Sequence, residues 1–166
     1  MKITEPARRI LSKMLNQKQS KIVSILILIP LAIAGFWLKN EQDNSNVLKV
    51  GSAKIAIELA DTPQKRITGL SGRDQLDRDS GLLFIFERDD FYDIWMKDMK
   101  FSIDIIWLDS QGIIVGIKEN ASPETYPESF TSSVPARYVL ETNAGWISQN
   151  RIKIGDKTEN LSALVK

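Results

Sequence analysis

Beyond residue 46, apolar positions recur mostly at every second residue, in short runs broken by Gly, Pro and charged residues. A period of two marks strands with one buried face. Within Val47–Ala60, Ile55, Ile57 and Leu59 alternate with Lys54, Ala56 and Glu58. Gly81–Phe86 is instead continuously apolar, the pattern of a strand covered on both faces. Ile103, Ile105 and Trp107 alternate with Asp104, Ile106 and Leu108. Asp109–Gly112 then has turn composition and Ile113–Ile117 returns. Ile103–Ile117 therefore predicts a hairpin. Ala136–Glu141 predicts a further strand, and Ile152–Ile154 a short last one before the turn at Gly155-Asp156.

Helical signals are few. Thr62 as N-cap with Pro63 at the first position predicts a short helix over Pro63–Ser71, with Ile67 and Leu70 inward and a stop near Gly72. Thr142 is a second N-cap candidate, ahead of a short helix reaching Asn150 with Ala144 and Ile147 inward. Arg73–Ser80 reads as a charged loop anchored by Leu76, and Glu87–Asp90 as an acidic loop. Lys118–Val134 holds Pro123 and Pro127 without periodicity. It reads as a long surface loop from which Tyr126 and Phe130 fold back onto the body. Five to seven short strands with one or two small helices give an α+β, mainly β domain. Its sheet is rolled or barrel-like and mostly antiparallel. Hairpin turns rather than long helices between strands argue against a doubly wound parallel sheet.

A different pattern precedes this domain. Residues 1–21 are basic, through Arg8, Arg9, Lys13, Lys18 and Lys21, and Ile22–Leu38 then runs for seventeen residues without a charge. That is the short end of the ~17–25 apolar residues that span a bilayer. It predicts a single-pass anchor in the lipid bilayer with Trp37 at the outer interface, the N-terminus cytoplasmic and the C-terminal domain outside. The alternative is a signal peptide cut after Ala34, which leaves the domain secreted or periplasmic. Residues 39–46, polar and aperiodic, read as a tether, and residues 47–166 as the exported domain.

Charge and composition narrow the chemistry. Residues 1–40 carry seven Lys/Arg against Glu5 alone, whereas residues 41–166 carry 15 bases and 20 acids. The folded part is thus acidic and does not suggest a nucleic-acid partner. The chain has no Cys and no His. Thiol and Ser–His nucleophiles, thiolate clusters, imidazole metal sites and disulfides are excluded. No phosphate or dinucleotide loop is present, and no cofactor is expected. Asp89, Asp90 and Asp93 supply oxygen ligands, but without a recognisable calcium loop they read as a solvated acidic segment, not a metal site.

Several short elements then coincide in order: Arg66-Ile67-Thr68-Gly69-Leu70, Arg73, Gly81–Phe84, Trp95-Met96-Lys97, Asp104-Ile105-Ile106, Val139-Leu140-Glu141, Ala144-Gly145 and Gly155-Asp156. From about Val47 to Thr158 the chain resembles the prokaryotic family called domain of unknown function 192 (DUF192). The resemblance implies a small β-rich domain, often behind a signal or anchor, and no agreed activity. The family often has Met where Ser71 and Leu82 stand here, and Asn-Thr in place of Asp98-Met99.

Candidate chemistry is densest in Phe91–Gly112, and within it at the hinge Trp95-Met96-Lys97-Asp98 with Asp104 behind it. Trp95 and Met96 could wall an apolar pocket, or be core and gap filler; Trp107 reads as core. Asp104 either faces solvent or pairs with Arg66, Arg73 or Lys97. Glu141 ends its strand in the same way. The expected ligand site comprises Arg66, Arg73, Trp95, Met96, Lys97, Asp98 and Asp104, with Tyr126 and Glu141 beside them; an arginine would clamp an anionic group. The preferred function is a membrane-tethered extracytoplasmic binding module for an unidentified small molecule or envelope partner. The alternatives are a cell-envelope hydrolase or lyase using Asp104 and Glu141 as acid and base, and a structural envelope protein.

Overall fold

The computed structural model describes residues 46–165. The expected basic segment, anchor or signal, and nearly all of the tether lie outside the described residues. Among the described residues, no helix is long and apolar enough to cross a membrane.

Nine strands and a few short helices follow in order: β1 Val47–Val50, β2 Ala53–Ala60, α1 Pro63–Thr68, β3 Ser80–Asp90, β4 Ile94–Trp95, β5 Ile103–Leu108, β6 Ile114–Ala121, a 3-10 turn at Pro123–Thr125, β7 Ser129–Phe130, β8 Ala136–Asn143, α2 Trp146–Asn150, β9 Thr158–Glu159 and α3 Leu161–Leu164. Seven strands form one curled, half-barrel sheet in the order β6-β5-β8-β3-β2-β1-β9, and β4 pairs with β7 in a separate ribbon. The domain is mainly β, as the period-two pattern implies. Only β2 and β3 run parallel, joined by α1 and the Gly69–Asp79 loop.

Both sheet faces are covered, because alternate residues of the central strands feed two apolar clusters. Leu83, Ile106, Leu108, Tyr138 and Leu140 meet Trp146 and Ile147 of α2 and Leu161 of α3. Leu82, Phe84, Ile105, Trp107 and Val139 meet Leu70, Leu76, Ile94 and Met96 from the loops on the other side. β5 accordingly has no exposed residue, and its Trp107 is core as expected, 1 % exposed.

The hairpin forms between β5 and β6, with Gly112 at φ 75 in the turn and Asp109 Oδ1 accepting from the N–H of Gln111 and Ile113. Thr62 caps α1 by accepting from the N–H of Lys65 at 3.3 Å, with Pro63 next in line. Several expectations are corrected. α1 stops at Gly69 (φ 51), not near Gly72. Its Ile67 is 68 % exposed, because one and a half turns bury only the following Leu70. Val47–Ala60 is two strands, turned at Gly51 (φ 55). The segment Glu87–Asp90 continues β3 rather than forming a loop. Thr142 lies inside β8, and α2 begins after Gly145 instead. The last strand is Thr158–Glu159, while Ile152 plugs the core as coil. Phe130 folds back through the β4–β7 ribbon, whereas Tyr126 stays 46 % exposed.

Asp104 has a role that the sequence did not reveal. It is fully buried on the α2 side of the sheet, where no basic residue pairs with it among the described residues. One carboxyl oxygen accepts the N–H of Ile147 at 2.9 Å, and the other that of Asn120 at 2.9 Å. The β5–β6 register slips between Ile103 and Ile105, and Asn120 sits in the bulge at φ 50. A bulge strands one N–H from the ladder, and a buried helix start strands others. Asp104 serves one donor at each place, so it staples β5 to β6 and α2.

Replacing Asp104 with Ala leaves both donors unpaired, at a cost of roughly 1–3 kcal/mol each. Asp104→Ala is expected to lower the free energy of unfolding by that combined amount, seen as a lower urea midpoint at unchanged slope, with Asp104→Asn in between; equilibrium unfolding by circular dichroism checks this.

Candidate functional site

The Leu82–Trp107 face is not filled completely by its loops. A cleft of about 320 Å³ opens there, between α1 with its following turn and the Tyr92–Met99 segment. Phe84 and Phe86 of β3 form its apolar floor. Ile67 stands at one side, Trp95 and Met99 at the other, and Glu141 of β8 closes the inner end. The volume is at the small end of ligand pockets, and the mixture of apolar walls with a few polar groups is typical of them.

Each wall has a physical cause. Trp107, in the core, donates its indole N–H to the Tyr92 carbonyl at 3.1 Å and so fixes where the chain leaves the sheet. Tyr92 stacks on Phe86 with ring centroids 3.5 Å apart and planes 9° from parallel, and its hydroxyl donates to the Arg88 carbonyl. β4 is held by β7 through Ile94 opposite Phe130. The two walls are laced together: Ser71 Oγ donates to the Lys97 carbonyl at 2.7 Å and Gly72 N–H to the Asp98 carbonyl at 2.8 Å, while Lys100 pairs with Asp74. Arg66 lies over the Phe86 ring, 5.5 Å from its centre. Its Nη1 donates to the carbonyls of Ile85 and Asp61.

Glu141 is the chemically unusual group. It is 5 % exposed, lines the cleft, and its side chain makes no hydrogen bond among the described residues. Burial pushes its pKa up to about 8, partly opposed by the nearby charge of Arg73. Arg73 does not neutralise it, because both its Nη atoms are committed to Glu58 at 2.9 and 2.8 Å. That pair lowers the pKa of Glu58, chiefly through the hydrogen bond. Near neutral pH Glu141 is thus mainly a neutral acid, able to donate one hydrogen bond and to accept others.

The geometry sorts the sequence-based candidates. Arg66, Trp95 and Glu141 line one cleft, and Arg73 backs it. Trp95 is 53 % exposed, a rim residue rather than core, while Met96 is 1 % exposed and belongs to the core. Lys97 and Asp98 contribute backbone carbonyls, with their side chains exposed. Tyr126 does not line the cleft. Asp104 and Glu141 cannot act as a pair: Asp104 stands opposite Thr142 in the register and Glu141 opposite Ile105, so the two carboxyl groups leave opposite faces of the sheet. Asp89 is taken up by Arg137, and Asp90 by Arg88. Phe84, Phe86 and Tyr92 were missed, although Leu82, Phe84 and Phe86 share one side of the alternation and only that parity marks them.

Asp98 adopts φ 56, in the left-handed region that Gly, Asn and Asp enter most easily. An exchange between Asn and Asp at this position therefore preserves the backbone, and the Asp98 side chain is exposed.

Comparison with known proteins agrees with this fold. The family model for DUF192, described as an uncharacterized ACR, matches residues 46–160. A crystal structure from Sinorhizobium meliloti 1021, provisionally described as a transcription regulator, is similar at 34 % identity and a TM-score of 0.63, covering 68 % of this chain and 89 % of that one. One from Novosphingobium aromaticivorans, of unknown function, is similar at 28 % identity and a TM-score of 0.64, covering 68 % and 83 %. No curated protein matches the chain.

Two outcomes are expected. Asp98→Gly and Asp98→Asn keep the wild-type melting temperature, whereas Asp98→Val costs about 1–2 kcal/mol, read by thermal unfolding. For Glu141 the folded value, about 8, exceeds the ordinary 4.5. The folded state therefore holds the extra proton between these values, and its stability declines as pH rises through that window and levels off above it. Glu141→Gln removes that component, so urea midpoints at about pH 5.5 and about pH 8.5 differ less in the variant than in wild type. With the match over residues 46–160 and the shared fold, the chain belongs to the DUF192 family.

Proposed function

We propose that the domain is a binding module for a small, largely apolar molecule, held outside the cytoplasm by the Ile22–Leu38 segment. The observation that carries the reading is the unfilled apolar cleft ending on a carboxyl group that is 5 % exposed and has no hydrogen-bond partner among the described residues. A buried polar group is ordinarily hydrogen-bonded, and one left unpaired in an open cleft is suited to a ligand. The exposed Ile67 and Trp95 belong to the rim of the same cleft.

Acid–base hydrolysis by two carboxylates is not favoured, since Asp104 serves the fold on the other face. The regulator description of the Sinorhizobium protein is not carried over either, because residues 41–166 hold 15 bases against 20 acids and suit a phosphate backbone poorly. The tether reading rests on the basic flank and uncharged run of residues 1–38; a phosphatase fused after Lys166 is expected to be active only as an exported fusion.

Indole tests the cleft without testing its polar chemistry. Saturation-transfer NMR on the full chain is expected to show binding that weakens at least several-fold in Trp95→Ala and Ile67→Asp. Both positions are exposed, so the fold survives the changes. Equal transfer in wild type and both variants, or none in wild type, refutes the reading.

A further inference from the structure

We infer that the cleft selects hydrogen-bond acceptors: its ligand is a small carboxylate or carbonyl compound with an apolar body, its oxygen atoms held by Arg66 and by the carboxyl group of Glu141 acting as donor. This rests on the binding reading above and names the chemistry of the same site.

The polar atoms of the cleft that remain unused set its chemistry. Tyr92 spends its hydroxyl on Arg88, and Ser71 its hydroxyl on Lys97. Thr68 Oγ1 meets Gln64 at 3.4 Å. Arg73 is occupied by Glu58. Beside the Thr68 hydroxyl hydrogen and the Trp95 indole N–H, two side chains that line the cleft keep stronger donors in reserve. Arg66 uses only Nη1, and its Nε and Nη2 make no hydrogen bond among the described residues. Glu141 has both oxygens unengaged among the described residues and sits among groups that keep its proton on. Its sheet neighbours across the ladder are Leu82 and Ile105, both apolar. Of the charges nearby, Arg73 is the one that acts on it appreciably, and burial outweighs that charge. Arg66 and Asp93 are the remaining charged groups of the cleft, and Asp93 lies exposed at the rim.

A protonated acid and a guanidinium lining the same cleft suit a ligand that carries an oxyanion or a carbonyl oxygen, with charge-assisted bonds to Arg66. An ammonium ligand meets the opposite situation. It would be repelled by Arg66 and would require Glu141 to ionise in a site that disfavours the charge. The Phe84 and Phe86 floor and the Trp95 rim suit an aromatic or aliphatic body, and about 320 Å³ limits it to a small molecule.

Phenylacetate, phenylacetamide and 2-phenylethylamine share one body and differ in the head group. Titrated calorimetrically into the full chain at about pH 6.5, phenylacetate is expected to bind most tightly and the amine at least tenfold more weakly. Above about pH 8, where Glu141 gives up its proton, phenylacetate affinity is expected to fall by about tenfold per pH unit. Glu141→Gln retains an N–H donor and is expected to bind phenylacetate with no such fall, while Arg66→Leu loses the preference for the carboxylate. If indole binds the cleft but the amine binds as tightly as phenylacetate, or wild-type affinity stays level to about pH 9.5, the acceptor inference is overturned and the binding reading stands. If neither indole nor any of the three binds, both are overturned.

Discussion

The alternation of β8 divides the domain. Tyr138, Leu140 and Thr142 face the helices α2 and α3, while Val139 and Glu141 face the loops that follow α1 and β4. β5 repeats the same parity one strand away, so each polar residue in these strands belongs wholly to one side. A one-residue slip would exchange the staple and the cleft acid. Apolar packing on both faces makes such a slip costly, and the register is therefore firmly set.

The consequence is a division of labour between two buried acids. Asp104 receives two backbone N–H groups and closes the gaps left by a bulge and a helix start. Glu141 receives none among the described residues and ends an open cleft. Both are almost completely buried, so burial alone does not separate their roles; the hydrogen-bond partners do. A carboxyl that satisfies backbone donors stabilises a fold, whereas one that lacks partners carries a desolvation cost that folding does not recover. Such a cost is tolerated most readily where something other than the protein supplies the missing bond.

The sequence carried more of the fold than of the site. The hairpin, the β8 strand, the Thr62 cap and the core position of Trp107 follow from period and turn chemistry, which are local. What failed was also local in appearance but tertiary in cause. Ile67 looked inward because helical spacing placed it beside Leu70, yet α1 is too short to bury it. Thr142 looked like a cap, but β8 continues through it to pair with β5 and β3. Glu141, Arg66 and Trp95 were legible as candidates from their positions in the family-like motifs. That they meet in one cleft, while Asp104 does not, depends on the pairing of β5 with β8. That pairing joins residues thirty to forty positions apart. Phe84 and Phe86 were concealed by the continuous apolar run of β3, in which no polar residue marks the parity.

The central claim is that a neutral acid stands at the inner end of the cleft near physiological pH. Carbon-detected NMR of the Glu141 side-chain carboxyl, assigned by comparison with Glu141→Gln, reads this directly. A titration midpoint near 8 is expected. A midpoint at the ordinary value of 4.5 would mean that Glu141 is ionised at neutral pH, and would contradict the claim.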